Sequence, residues 1–331
     1  MMKKELILKI VICVVAAIVL TAIAILAAFS IGEKIMFNDF YSNAERFGKI
    51  PGLWSGYVPQ GYCSVEGHNV RLGCGYMSNG KASRIYVIPN DGSRAVFVEM
   101  KNADGSDNTG HTGGIAVCGD VVYVTSSAGC DIFSYADITD GDGKATKKGE
   151  FSTILDPAYC VIHDGKLYVG SFYREGNYET PEEQRLTTPT GDKNTAFLAV
   201  YTLDTASGLP TSETPDLIYS TTGLVQGAAF TDDGRIILST SYGFAKSHLY
   251  VYDLSKAEVQ EETCIEKESE TSVPLCFLDS ACLSDTIEAP PMSEEIIYEN
   301  GKVYVMTESA CIKYFFGKIT TGNYVYGYSL D

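Results

Sequence analysis

The chain has 331 residues, a formal net charge of −17 and a pI near 4.6. Such an acidic chain lacks the basic footprint that a phosphate backbone requires, which excludes nucleic acid as a partner. It also gives the body as a whole no electrostatic reason to lie on an anionic membrane surface. No Gly-x-Ser-x-Gly elbow, P-loop or dinucleotide glycine fingerprint occurs, so serine-hydrolase and nucleotide chemistry have no motif to stand on.

The N-terminus is a separate object. Lys3, Lys4 and Lys9 precede an uncharged apolar run from Ile10 to Ile31, followed by Gly32 and Glu33. Roughly 20 apolar residues cross a ~30 Å hydrocarbon core, whereas a cleaved signal has an apolar stretch of only about 7–15. The run therefore predicts an uncleaved signal-anchor: residues 1–9 cytoplasmic, 10–31 transmembrane, and the acidic body outside a cell membrane crossed once. Cleavage near Ala27 and Ala28 is the alternative. Residues 32–57 form a juxtamembrane segment. Its stretch 45–57 holds the only tryptophan, Trp54, and is either a stalk or a strand that closes the fold.

From residue 58 to 331 a fourteen-residue phrase occurs five times without a gap, beginning at residues 59, 111, 156, 225 and 292. The copies read PQGYCSVEGHNVRL, HTGGIAVCGDVVYV, DPAYCVIHDGKLYV, VQGAAFTDDGRIIL and MSEEIIYENGKVYV. Each is a short apolar strand, a tight turn and a second strand rich in Val, Ile, Leu and Tyr. The pairs Asp164 and Gly165, Asp233 and Gly234, and Asn300 and Gly301 tolerate the positive φ of a hairpin turn. Third strands follow at 83–88, 131–135, 196–203, 247–254 and 324–330, and fourth strands at 95–100, 150–154 and 216–220. A four-stranded antiparallel unit repeated five times predicts an all-β, five-bladed β-propeller, with a six-bladed ring as the alternative. Little chain follows the last copy, so its outer strand is expected from 45–57.

Polar insertions at 173–194 and 256–291 lengthen the later repeats; the second carries the acid run 261–270 and three cysteines. It offers little apolar sequence to bury, so a disulfide from Cys264 to Cys276 or Cys282 is expected to order it. Ten cysteines are present, nine of them outside the apolar run, and none forms C-x-x-C. Cys63 and Cys160 share an apolar column of the repeat and read as small buried hydrophobes.

The phrase FTDDGRIILST followed by SHLYVYDL resembles blades of the gluconolactonase/strictosidine-synthase-like and NHL-type propellers. The chain lacks the Trp-Asp ends of WD40 blades, the Gly-Gly of kelch and the sialidase box. The gluconolactonase group holds calcium in its channel through a Glu, Asn and Asp set. That set does not map residue by residue here, so the resemblance implies a fold and not an activity.

The first residues of the inner strands should ring the channel mouth: Gln60, His111, Thr112, Asp156, Gln226, Ser293, Glu294 and Glu295. His111 with Asp156 and Glu294 or Glu295 would suit a cation such as calcium, or general acid/base work, with no cofactor certain. One column reads Gly61, Gly113, Ala158 and Gly227 and then Glu294, a break of the kind expected at functional sites. His68, His163 and His248 read as structural. Asp137, Asp140 and Asp142 are the weaker metal candidates, in a turn that lacks the closing Glu of an EF-hand loop. Tyr173, Arg174, Tyr178 and Arg185 in the first insertion suit a contact surface for a glycan or protein. The combined expectation is a membrane-anchored binding or scaffold module for a protein, peptide or glycan. The alternative is a calcium-dependent lactonase- or lyase-like enzyme working at the ring.

Overall fold

The computed structural model describes residues 2–127, 129–257, 259–264 and 272–330, with backbone alone at 2 and 260–264. Each copy of the phrase is the inner hairpin of an antiparallel sheet, and the described residues form five such blades. Blade 1 runs outward through Tyr57–Ser64, Val70–Met77, Arg84–Pro89 and Val96–Lys101. Blade 2 has Ile115–Cys118, Val121–Ser126, Gly129–Ser134 and Gly149–Ser152. Blade 3 has Pro157–His163, Lys166–Ser171, Ala196–Thr202 and Leu217–Thr221. Blade 4 has Val225–Phe230, Arg235–Thr240, Ser247–Asp253 and Leu283–Ala289. The inner strands pack side by side from blade 1 to blade 5 and back to blade 1, closing a ring of five.

Blade 5 supplies only three strands from the C-terminal end, Ser293–Glu299, Lys302–Thr307 and Tyr324–Ser329. Its outer strand is Ala44–Lys49, which pairs antiparallel with Tyr324–Ser329 so that Arg46 lies opposite Tyr326 and Lys49 opposite Tyr324. The closing strand lies at the start of the expected segment. The rest, through the turn residues 51–56, leads back to blade 1.

The insertion 256–291 differs from expectation. It is built of strands: Ser272–Phe277 runs parallel to Leu217–Thr221 and extends blade 3, while Leu283–Ala289 completes blade 4. Val273, Leu275 and Leu278 are buried, so packing orders this segment. Cys276 and Cys282 are free thiols, and the Cys264 side chain lies outside the described residues. The stretch read as a turn at 137–144 begins instead as a helix, Tyr135–Asp140, capped by the Ser134 hydroxyl. Asp137 there pairs with Lys148 at 2.6 Å. The column of small residues also has a different cause. A Cβ on Gly113 would stand 2.0 Å from the Ala158 carbonyl oxygen, and one on Gly227 would stand 2.5 Å from the Glu295 Cα. Close approach of neighbouring inner strands demands glycine there.

Before the ring, Met2–Met36 is one continuous helix, and its apolar stretch is long and apolar enough to cross a membrane. A short helix, Asn38–Asn43, follows. Phe37 and Phe40 bury against Leu249, Ile287 and Tyr326 between blades 4 and 5, fixing where the long helix meets the propeller.

Candidate functional site at the channel mouth

All five inner strands begin on one face, and the chain leaving each second strand emerges there too. Their starts are bulged: the register shifts at Gln60, at Ala158, at Gln226 and between Ser293 and Ile296. A bulge adds a residue and re-aims its side chain. In blade 5 the extra residue lets two consecutive glutamates, Glu294 and Glu295, both turn inward, and both are buried.

Glu295 is the hub. Its carboxylate accepts the backbone N–H of Tyr62 at 2.8 Å, of Ile115 at 3.0 Å and of Cys160 at 3.3 Å. Inner strands leave such donors unpaired along the channel edge, where an unsatisfied N–H is costly. One side chain thus joins blade 5 to blades 1, 2 and 3, while its own backbone sits against Gly227 of blade 4. Burial pushes the carboxyl well above its ordinary range, and the three N–H bonds pull it back.

Glu294 is different. It is 2 % exposed, and among the described residues no donor bonds its carboxyl. Burial raises its pKa well above the usual value, and the neighbouring Glu308 and Glu295 charges raise it further. Glu308, just beyond the last phrase, is pushed up to about 7 by burial, against the pull of Lys313 and of bonds from Gln60 and Tyr314. The Gln60 amide donates to Glu308 at 2.9 Å. Around this pair stands an aromatic and cationic wall. Tyr76 packs on His111 with centroids 4.8 Å apart, and Lys313 donates to the Tyr76 hydroxyl at 2.6 Å. Burial and the Lys313 charge lower the His111 pKa and favour the neutral ring. Thr112 is buried beside it, with a hydroxyl that has no partner among the described residues.

The structure thus links Gln60, His111 and Glu294 with Glu308, Lys313, Tyr76 and Tyr314 in one cluster. Asp156 is an exposed rim residue and Gln226 is half-buried; neither shares these contacts. Ser293 is fully buried and bonds Ser239 and Ser247, a contact within the wall. In the first insertion Tyr178 is exposed, while Arg174 lies 3.9 Å over the Tyr242 ring and Arg185 pairs with Glu179 at 2.9 Å. Arg185 also stacks 5.1 Å over Tyr173. Among the described residues no three His, Cys, Asp or Glu side chains converge where they could hold a metal ion, at the mouth or at Asp137, Asp140 and Asp142. Glu308, Lys313 and Tyr314 escaped the repeat alignment because they lie past its last column. Their signal was position: residues after a second strand meet the same mouth.

The opposite end of the channel holds a cavity of about 250 Å³ with Glu295 in its lining. Its walls include Tyr62, Ile115, Cys160 and Ile297, and at its rim His163 stacks on Phe230 at 4.4 Å.

No family model matches the chain, and no curated protein matches it. Solved structures do. An exo-β-1,3-galactanase from Phanerochaete chrysosporium aligns at 14 % identity and TM-score 0.45, covering 87 % of this chain and 64 % of that one. The PQQ-bound aldose sugar dehydrogenase of Streptomyces coelicolor aligns at 17 % and 0.41, covering 80 % and 76 %. A protein of unknown function from Bacteroides thetaiotaomicron aligns at 13 % and 0.41, covering 87 % and 75 %. The chain is a β-propeller without a specific family match.

Proposed function

We propose that the protein is a membrane-anchored, extracytoplasmic recognition module that seats a cationic group of a peptide or protein segment at the channel mouth. The observation that carries this reading is Glu294: a carboxyl almost wholly buried, beside a second carboxyl, with no donor among the described residues. Burial without a partner disfavours the charged form of this carboxyl, and an incoming amine or guanidinium supplies the counter-charge that restores it. Lys313 lies 5.0 Å over both the Tyr76 and the Tyr314 rings, so the wall beside the pair already holds one cation of the chain's own. The anchor reading rests on the length of the apolar helix, and the outward body on the three lysines that precede it. Among the described residues no converging donor set favours the calcium-dependent lactonase- or lyase-like reading.

The test is a binding screen of the full-length protein in lipid nanodiscs against arrays of Lys- and Arg-bearing peptides, acidic peptides and glycans. Cationic peptides should bind, and Glu294→Gln should lose that binding while keeping the unfolding temperature. Binding confined to glycans or acidic peptides, or undiminished in Glu294→Gln, would refute the reading.

A further inference from the structure

The mouth face carries exposed aromatic and apolar side chains on one edge. Trp54 and Phe244 are each 73 % exposed, Phe315 is 49 % and Ile312 is 45 %. They come from the segment before blade 1, the 241–246 loop of blade 4 and the 308–323 loop of blade 5, yet they adjoin. Trp54 meets Phe315 at 6.4 Å and Phe316 meets Phe244 at 4.9 Å. A cation is set among them: Lys318 lies 3.9 Å over the Trp54 ring and donates to the Leu53 carbonyl oxygen at 3.2 Å. The far edge of the face, in the 173–194 insertion of blade 3, carries the exposed Glu175 and Glu182 instead.

The long helix ends beside this aromatic edge. Tyr41 donates to Glu33 at 2.8 Å, and Thr321 of the blade 5 loop donates to the Tyr41 hydroxyl at 2.8 Å. Ile31, the last residue of the apolar run, precedes Glu33 by two positions, only ~3 Å of helical rise. A helix that crosses the bilayer to Ile31 therefore leaves the base of the 308–323 loop at the depth of the headgroups. Trp, Phe and Lys are the side chains that favour that zone, with rings in the boundary and amines in the headgroups.

We propose that the edge formed by Trp54, Phe244, Ile312 and Phe315 rests in the interface of the membrane that the helix crosses. This rests on the anchor reading above. The propeller then stands tilted: blades 4 and 5 and the segment before blade 1 touch lipid, and the acidic edge of blade 3 lifts the mouth open to water. The net negative charge of the body is no obstacle, because the contact is aromatic and locally cationic and needs no anionic lipid.

Trp54 is the only tryptophan, so its fluorescence reports this edge alone. The full-length protein is reconstituted into phosphatidylcholine vesicles whose acyl chains are brominated near the headgroup, with unbrominated vesicles as control, and each sample is floated on a density gradient. The protein should float with the vesicles, lose most of its Trp54 emission to bromine, and resist quenching by iodide added to the water. Floating protein whose Trp54 ignores bromine but yields to iodide would overturn the docking while leaving the anchor intact. Protection from both quenchers would mean that another copy of the chain covers the edge, which also overturns it. Protein that does not float would overturn the anchor reading, and the docking with it.

Discussion

The Glu295 carboxylate of blade 5 accepts the Ile115 N–H of blade 2 at 3.0 Å, across the axis and between blades that are not neighbours. With the Tyr62 and Cys160 bonds it makes one buried group a common support for the ring. Glu295→Ala should strand three buried donors and cost on the order of 3–6 kcal/mol. Glu295→Gln, which keeps one acceptor oxygen but turns an amide N–H toward donors, should cost less. Chemical denaturation of both variants checks the order.

The mouth carboxyls should give the stability curve an unusual limb. Glu308 is pushed up to about 7 in the folded protein, from an ordinary value of 4.5. Its raised pKa means that the folded state holds the proton more tightly than the unfolded chain. Stability is therefore fully present below about 4.5 and falls as pH rises toward 7, by on the order of 3 kcal/mol. Above that it levels off. Unfolding free energies of Glu308→Gln should lack this decline, and an equal decline in the variant would assign it to other groups.

Replacing residues 44–49 by a Gly/Ser segment of equal length removes the outer strand of blade 5 and exposes the edge of Tyr324–Ser329. It also deletes the Glu45 pair with Lys302 at 2.5 Å and the Arg46 bond to the Tyr326 hydroxyl at 3.3 Å. An open strand edge invites association. Thermal unfolding should shift downward for the whole ring in one transition, and the variant should aggregate at lower temperature. An unchanged transition would show that the ring does not depend on this closure.

Topology is tested in cells. The body should remain with membranes after alkaline carbonate washing and be digested by protease added from outside. A soluble chain beginning after Ala28 would instead point to cleavage.

The hairpins were legible in the sequence because alternating Val, Ile and Tyr around Asp-Gly and Asn-Gly turns leave few alternatives. The closing strand was legible as a deficit, since the last copy is followed by too little chain for a full blade. Leu283–Ala289 was not legible, because its alternation is broken by Ser284, Asp285 and Glu288 on an exposed face. At the site, the break in the small-residue column singled out Glu294. The role of Glu295 was hidden, because its partners are backbone N–H groups of three other blades, which no pattern of side chains records. Glu308 was hidden because it belongs to no repeat.

The pH dependence of binding by the strongest cationic peptide tests the central claim most directly. If the ligand seats on the Glu294 and Glu308 carboxyls, protons compete with it, at Glu308 as pH falls through about 7. Affinity measured by calorimetry should then weaken by up to about tenfold per pH unit below that point. Glu308→Gln should flatten the profile. Affinity that stays constant from pH 8 to pH 6 in the native protein would contradict the account.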